Sequence, residues 1–349
     1  MSRATLRTLS TWIAIVILTG CGIFPAPVPE STPSPVPATD VAPTAPVSTP
    51  PSVSTPTSSP TLTTTSLPIA TPTDEPAPLR VIILSIDGLR PDAIAQAPMP
   101  NLLELMQAGA YSLTAQTTFP SATLPSHASM LTGQCPAKHG VFWNDYLPLL
   151  GYAGGQSIFT LAKEAGLRTI MVVGKEKMRQ ITPPETTDVY RYINDRDLVI
   201  AAEIIPDLQQ GFDLAFIHFP TADWMGHTYG WLSPEQFSVL RRADEALGNI
   251  LVALEESNLR DDTLLIITSD HGGREYAHGS RHPEDMTIPW IIHGPGVLPG
   301  EIQIPVNVTD TAATVAWALN LPIPSEWDGF PLFEVFGKPP AERPDPRCP

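Results

Sequence analysis

The stretch VIILSIDG, residues 81–88, is a continuous apolar run that ends in an aspartate and a glycine. Runs of this length, rich in β-branched residues and without polar alternation, are typical of strands that are buried on both faces. Such strands occur in parallel sheets that helices cover on both sides. The run therefore predicts a central strand, with Asp87 just beyond its carboxyl end.

Two further apolar runs are also followed closely by acids. DLAFIHF at 213–219 leads to Asp223, and TLLIIT at 263–268 leads to Asp270 and His271. In open α/β sheets, ligands bind outside the carboxyl ends of the strands. We therefore expect these side chains to converge with Asp87 at one edge of the sheet.

Helical patterns lie between and beyond these runs. Ser233, with the proline and the glutamine that follow it, has the features of a capping box ahead of about twenty helical residues. Helical apolar spacing also occurs near 156–164 and 309–319. The alternation predicts an α/β fold, with a doubly wound, mostly parallel sheet and helices on both faces.

The N-terminal segment has the organisation of a targeting signal. Arg3 and Arg7 precede an apolar run over 12–18, which is shorter than the roughly 20 residues of a membrane-spanning helix. LTGC at 18–21 resembles the lipobox of bacterial lipoproteins. The resemblance implies a signal peptide over 1–21, lipidation of Cys21, and a mature chain anchored to a bacterial membrane at the cell surface or in the periplasm.

The next segment differs in composition from the rest of the chain. Residues 22–78 contain 16 prolines, many threonines and serines, and no lysine or arginine. Such a segment cannot bury enough apolar surface to offset the entropy of ordering it. We expect a disordered Pro/Thr/Ser-rich linker over 22–78, a globular domain over 79–337 and a C-terminal tail over 338–349.

The net charge argues against one class of partner, and the cysteine content raises the question of a disulfide. The formal net charge of −16 argues against a nucleic-acid-binding surface, because a phosphate backbone is bound by basic side chains. With Cys21 lipidated, Cys135 and Cys348 remain in an oxidising compartment. They could form a disulfide or stay free, and their spacing does not decide between the two.

The acids and histidines near the strand ends suit a metal ion. Zinc takes carboxylate oxygen and imidazole nitrogen as ligands in proteins. Asp223 and His227 are four residues apart, Asp270 and His271 are adjacent, and His278 follows shortly after them. Their joint placement after apolar runs predicts a metal site at the edge of the sheet.

The stretch TTFPSATLPSHASMLTG at 117–133 crowds hydroxyl groups ahead of a predicted helix over 125–131. Thr123 either caps this helix or acts as a nucleophile at a helix N-terminus, where backbone N–H groups suit phosphate oxygens. Four other hydroxyl residues compete for the nucleophilic role, namely Thr117, Thr118, Ser121 and Ser126.

Seven short motifs follow one another along the chain. They are Asp87-Gly88, Thr123-Leu124-Pro125-Ser126-His127, Asn144-Asp145, Asp223-Trp224-Met225-Gly226-His227, Ser269-Asp270-His271-Gly272, His278-Gly279 and WDGFPL at 327–332. In this order they resemble the nucleotide pyrophosphatase/phosphodiesterase branch of the alkaline phosphatase superfamily, over nearly all of residues 81–335. The resemblance implies an alkaline phosphatase-like fold and a hydrolase of phosphodiester or pyrophosphate bonds in small substrates such as nucleotides.

The resemblance also implies two zinc ions, for which manganese could substitute. One ion would be held by Asp223, His227 and His278. The other would be held by Asp87, Asp270 and His271, with Thr123 completing its ligands.

In the same family pattern, Thr123 is the nucleophile and forms a covalent phospho-threonine. Asn144 matches the asparagine that donates a hydrogen bond to a phosphate oxygen. His282 is the rival of His278 as the last ligand, and the His-Gly pair favours His278.

Other histidines and other functions remain as alternatives. We interpret His139, His218 and His293 as structural, and His127 as a supporting or packed residue. A phosphomonoesterase would use the same metal set. A sulfatase would need a Cys/Ser-x-Pro-x-Arg frame, which residues 123–127 do not provide. A non-catalytic surface lipoprotein would be expected to lack a ligand, and none is missing.

Overall fold

The structure, a computed structural model, describes residues 79–343 and Cys348. The predicted signal peptide with Cys21, and the predicted linker over 22–78, lie outside the described residues. So do residues 344–347 and Pro349 of the tail.

A single sheet crosses the described part of the chain. Its strands are β1 (Arg80–Ile86), β2 (Ala110–Gln116), β3 (Thr169–Val173), β4 (Val189–Tyr192), β5 (Leu214–Phe219), β6 (Thr263–Thr268), β7 (Thr287–His293) and β8 (Gly300–Glu301). Their order is β4-β3-β5-β1-β6-β7-β2-β8. The strands from β4 to β6 are parallel, whereas β7 runs antiparallel to both of its neighbours. The three predicted strands lie side by side at the centre, as β5, β1 and β6.

Helices cover both faces of this sheet. They are α1 (Pro91–Ile94), α2 (Pro100–Ala108), α3 (Thr123–Thr132), α4 (Pro136–His139), α5 (Ile158–Glu164), α6 (Asp197–Gln209), α7 (Thr221–Tyr229), α8 (Pro234–Glu256), α9 (Pro283–Met286) and α10 (Asp310–Ala318). Val81 and Ile83 of β1 belong to a core shared with α3, α5 and α10. Ile82 and Leu84 belong to the opposite core, shared with α2, α6 and α8. The predicted doubly wound α/β fold is confirmed.

The predicted helices are present, with shifted ends. Ser233 caps α8 by accepting a hydrogen bond from the Gln236 N–H at 3.2 Å. The Gln236 side chain accepts from the Leu232 N–H instead of closing the box on Ser233, and it also donates to Ala222 O at 3.1 Å. The second contact ties α8 to α7. Helix α3 begins at Thr123, two residues before the predicted start.

The register of the central strands sets where the polar residues meet. Ser85 of β1 is paired with His218 of β5 on one side and with Thr268 of β6 on the other. The three strands therefore end at the same level. The residues that follow them lie together at the carboxyl edge.

A disulfide joins Cys135 to Cys348, with a Cα–Cα distance of 5.4 Å. It closes a loop across 213 residues of sequence. The alternative that the sequence left open is thereby resolved in favour of a bond. Within residues 79–343, no helix combines the length and apolar character needed to cross a membrane.

Candidate active site

The predicted acids converge just beyond the carboxyl ends of the central strands. Asp87 follows β1, Asp270 follows β6, and Asp223 lies in the first turn of α7, directly after β5. All three are buried. Gly88 adopts a positive φ of 73°, which few other residues tolerate, and its N–H donates to Asp270 Oδ1 at 3.2 Å. This turn holds the first two acids against each other.

Two groups of donor atoms are close enough to hold cations. Asp87, Asp270 and His271 form one group, and Asp223, His271 and His278 form the other, with the donor atoms of each group within 4.8 Å of one another. The first group reproduces the predicted set. His271 lies within reach of both groups, although the prediction assigned it to only one.

His227 lies at the outer side of the second group. Its Nε2 is 3.4 Å from Asp223 Oδ1, and the Nε2 of His278 is 3.5 Å from the same oxygen. The His227 side chain is 45% exposed, whereas that of His278 is 7% exposed. The Nε2 atoms of the predicted ligands His227 and His278 therefore both lie near the same carboxylate oxygen of the third predicted ligand, Asp223.

Backbone carbonyls orient all three of these imidazoles. The Nδ1–H of His271 donates to Gly272 O at 2.7 Å. Those of His227 and His278 donate to Tyr276 O and Ser121 O, each at 2.9 Å. With Nδ1 protonated, each Nε2 presents a lone pair, which is the form that binds a metal. Burial also lowers the pKa of His278 to about 3, so this ring is neutral near pH 7.

Four buried atoms in the cluster have no hydrogen-bond partner among the described residues. They are Asp87 Oδ1, Asp223 Oδ1, Asp270 Oδ2 and His271 Nε2. Leaving such atoms unpaired is costly, so a buried set of this kind needs a ligand. Carboxylate oxygens and imidazole nitrogens at these separations fit divalent cations.

Thr123 lies beside this cluster as the first residue of α3, and it is fully buried. The N-cap of α3 is Ala122, so the alternative that Thr123 caps the helix is wrong. Its Oγ1 accepts a hydrogen bond from Lys175 Nζ at 3.2 Å.

The competing hydroxyls are bonded elsewhere. Thr117 Oγ1 donates to Ser126 Oγ at 2.9 Å, and Thr118 Oγ1 donates to Ser129 Oγ at 3.1 Å. Ser121 Oγ donates to Ser280 O at 2.7 Å. Of the five hydroxyl residues considered, Thr123 is the one whose hydroxyl shares a partner, Lys175 Nζ, with the carboxylates of the cluster.

Asn144 is held next to the start of α3. Its Oδ1 accepts from the Leu124 N–H at 3.0 Å. The other end of the amide, the NH2 group, is a hydrogen-bond donor. The predicted role of Asn144 toward a phosphate oxygen requires this donor and stays a prediction.

Lys175 was missed by the sequence reasoning. It follows β3 through Gly174, and its Nζ lies 2.6 Å from Asp87 Oδ2 and 2.6 Å from Asp223 Oδ2. Burial alone would lower its pKa, but the carboxylates of Asp87 and Asp223 raise that pKa above its usual value. The lysine follows an apolar strand just as the acids do, so the same positional signal could have found it.

His218 also differs from its prediction as a purely structural residue. Its Nδ1 accepts from the Gly174 N–H at 3.1 Å, so its Nε2 carries the proton and donates to Asp87 Oδ2 at 2.8 Å. It therefore orients a candidate metal ligand. Burial alone would raise the pKa of Asp87, but Lys175 and His218 bring it well below its usual value.

His127 is buried and contacts residues next to the cluster, in agreement with its interpretation as a supporting or packed residue. Its Nδ1–H donates to Thr123 O at 2.8 Å, and its Nε2 accepts from Ser85 Oγ at 2.8 Å. The rival ligand His282 instead caps α9 by accepting from the Glu284 N–H, and its side chain is 46% exposed.

The geometry defines an α/β domain with a candidate metal centre beside a buried threonine. A sequence model described as type I phosphodiesterase/nucleotide pyrophosphatase matches residues 81–286, and the chain belongs to this family. The family assignment that the motifs implied is confirmed.

The curated relatives of this chain include a protein named as a transferase subunit and proteins named as pyrophosphatases/phosphodiesterases. The chain is 31% identical over 291 residues to the human GPI ethanolamine phosphate transferase 2 catalytic subunit, covering 77% of this chain and 29% of that protein. It is 26% identical over 247 residues to human ectonucleotide pyrophosphatase/phosphodiesterase family member 1, covering 61% and 26%. The chain thus spans less than half the length of these relatives.

Solved structures share the fold. Murine ectonucleotide pyrophosphatase/phosphodiesterase 5 in complex with AMP aligns with a TM-score of 0.63 at 18% identity, covering 74% of this chain and 98% of that one. A 2-O GAG sulfatase aligns with a TM-score of 0.62 at 15% identity, covering 76% of each chain. At these identities the likeness shows the fold alone.

Proposed function

We propose that this protein hydrolyses phosphodiester or pyrophosphate bonds of small substrates, nucleotides among them, with Thr123 as nucleophile. The observation that carries the proposal is a buried threonine hydroxyl that shares the Lys175 ammonium group with two carboxylates of the cluster. Four carboxylate and imidazole atoms of that cluster have no hydrogen-bond partner among the described residues. The family membership supports the reaction class. The AMP complex of the murine structure supports a nucleotide as substrate.

The cluster would hold two divalent cations, with zinc as the expected metal and manganese as a substitute. Asp87, Asp270 and His271 would hold one, and Asp223, His227 and His278 the other. Bound there, such ions supply Lewis-acid stabilisation of negative charge on oxygen and favour the alkoxide form of an alcohol.

The chain's own residues position the reaction. Thr123 Oγ1 attacks phosphorus in line with the leaving oxygen, so that the Oγ1–P bond forms as the bond to the leaving group breaks. The NH2 group of Asn144 donates to a non-bridging oxygen. Water then displaces the threonine oxygen from phosphorus, which releases the product and restores the hydroxyl.

The test compares wild type with Thr123→Ala on bis(p-nitrophenyl) phosphate and p-nitrophenyl phosphate. Wild type is expected to hydrolyse the diester faster, and Thr123→Ala is expected to lose turnover while retaining bound zinc. Full activity in Thr123→Ala would reject Thr123 as nucleophile. Faster hydrolysis of the monoester by wild type would move the assignment to a phosphomonoesterase.

A second candidate is transfer of the phosphoryl group to an alcohol instead of water. The match to a human GPI ethanolamine phosphate transferase subunit favours it, because a covalent threonine intermediate can react with either acceptor. Product analysis in the presence of a simple primary alcohol such as methanol distinguishes the two. A transferase yields the new ester in excess of the hydrolysis product.

We also propose that the mature protein is lipid-anchored through Cys21 outside the cytoplasm, with 22–78 as a spacer. The bond between Cys135 and Cys348 supports an oxidising compartment. Acyl labelling of wild type and Cys21→Ala tests the anchor. An unlabelled wild-type protein would overturn it.

A further inference from the structure

A cationic side chain lies inside the carboxylate cluster. Lys175 Nζ is 2.6 Å from one oxygen each of Asp87 and Asp223 and 3.2 Å from Thr123 Oγ1. The side chain is only 10% exposed. These contacts connect one carboxylate of each candidate cation set to the nucleophile.

We propose that Lys175 is a substrate-binding residue that recognises the non-bridging oxygens of the phosphoryl group and favours dianionic over monoanionic phosphoryl groups. It thereby gives the site a measurable capacity for phosphomonoesters beside diesters. This inference rests on the hydrolase function proposed above, because it assigns part of that site's specificity.

The position of the ammonium group decides which substrate atoms it meets. In a near-attack arrangement, phosphorus lies roughly 3 to 3.5 Å from the attacking oxygen. The leaving oxygen lies on the far side of phosphorus from Thr123 in an in-line reaction. Since Nζ is 3.2 Å from Thr123 Oγ1, it lies on the attacking side, within reach of the non-bridging oxygens.

Charge supports the same preference. Three buried carboxylates, those of Asp87, Asp223 and Asp270, oppose two divalent ions and one ammonium group in the loaded site, leaving two positive charges with Thr123 as a hydroxyl and one with Thr123 as an alkoxide. A phosphomonoester carries close to two negative charges at pH 7, because the second pKa of a phosphate is about 6. A diester carries one. Removing the Lys175 charge therefore weakens the attraction for a dianionic phosphoryl group about twice as much as that for a monoanionic one.

The lysine's present partners become less available when cations are bound. The carboxylate oxygens are then shared with the ions, and like charges repel the ammonium group. A lysine side chain has a flexible four-carbon stem and can redirect its three donors. The oxygens of a bound phosphoryl group offer it a replacement for the contacts to Asp87 and Asp223.

The experiment measures kcat/KM of zinc-loaded wild type and Lys175→Met on p-nitrophenyl phosphate and bis(p-nitrophenyl) phosphate. Loss of a charge-assisted hydrogen bond corresponds to a factor of roughly 10 to 150. Monoester hydrolysis is expected to fall by about this factor and diester hydrolysis by a smaller factor, because the diester carries only one negative charge. Calorimetry with inorganic phosphate as the probe should show a matching loss of affinity.

Three controls keep the result interpretable. Lys163→Met removes an exposed lysine of α5 that pairs with Asp188, and it should change neither rate. Lys175→Arg keeps the charge and should preserve more of the monoester rate than Lys175→Met. Zinc affinity of Lys175→Met should equal or exceed that of wild type, because the ammonium no longer competes for the carboxylates.

The outcomes separate this inference from the proposed function. An unchanged monoester-to-diester ratio in folded, zinc-loaded Lys175→Met would overturn the inference, leaving Lys175 as a neutraliser of the acid cluster. Hydrolysis of neither ester by wild type would instead overturn the proposed function.

Discussion

His218 offers a sharp test of how the candidate metal centre is held. Its ring makes two hydrogen bonds, from the Gly174 N–H to Nδ1 at 3.1 Å and from Nε2–H to Asp87 Oδ2 at 2.8 Å. The amide of asparagine can replace the first contact, and that of glutamine can replace the second. The pair His218→Asn and His218→Gln therefore separates the two functions of the ring.

The expected magnitudes follow from the partners. A hydrogen bond to a charged group contributes about 1.5 to 3 kcal/mol, which corresponds to roughly 10- to 150-fold in affinity. His218→Asn leaves Asp87 without this donor, so zinc affinity should fall by such a factor, in line with the roughly 10- to 100-fold effects of outer ligand partners. His218→Gln should keep most of the affinity. It leaves the Gly174 N–H unpaired, which should lower the free energy of unfolding by about 1 to 3 kcal/mol.

The assay is competition between the protein and a zinc-binding dye, combined with urea unfolding of the metal-free protein. His139 supplies a matched control, because its Nδ1 also accepts from a backbone N–H, that of Val141 at 3.1 Å, while its Nε2 contacts Ser129 instead of an acid. His139→Gln should lose stability without losing zinc affinity. The reasoning would be refuted if His218→Asn bound zinc as tightly as wild type does. It would also be refuted if His139→Gln lost as much zinc affinity as His218→Asn.

Three further predictions concern stability. Burial raises the pKa of Asp197 to about 7. The carboxyl group of Asp197 therefore binds its proton more tightly in the folded state than in the unfolded state. The contribution of this proton to the unfolding free energy is lost as pH rises from about 4 to about 7. Asp197→Asn should therefore flatten the fall in unfolding free energy between pH 5 and pH 8, and an unchanged slope in urea titrations would contradict the shift. Cys348→Ser should lower the unfolding free energy by about 2 to 5 kcal/mol, and reductant should then destabilise wild type but not the variant; equal responses would count against the bond. Gly273→Ala places a Cβ 2.2 Å from the Trp231 ring and should lower the free energy of unfolding by about 1 to 3 kcal/mol. A melting temperature equal to that of wild type would contradict this, because it would show that the ring moves aside without loss of stability.

The sequence contained enough to predict the sheet and most of the site. Asp87, Asp223 and Asp270 each follow a run whose apolar character requires burial on both faces, and parallel strands bring their carboxyl ends to one edge. The pattern therefore predicted both the strands and their convergence. The order of the motifs then gave the family, which the match over residues 81–286 confirms.

The remainder depended on contacts between distant segments. His218 lies within a buried apolar strand, and only the pairing of β5 with β1 brings it to Asp87, which is 131 residues away. Lys175 lies 48 residues before Asp223, and its charge is opposite to that expected of a metal ligand. A search for metal ligands by residue type therefore did not identify Lys175. The partner of Cys135 was undecided for the same reason, because loop spacing alone does not specify a disulfide.

The central claim is that two divalent cations at the edge of the sheet make Thr123 reactive. Anomalous diffraction at the zinc edge, on crystals grown with zinc, tests it most directly. The account predicts two peaks, one among Asp87, Asp270, His271 and Thr123 and one among Asp223, His227 and His278. A well-ordered site without a peak beside Thr123, or with zinc bound only elsewhere on the molecule, would contradict it.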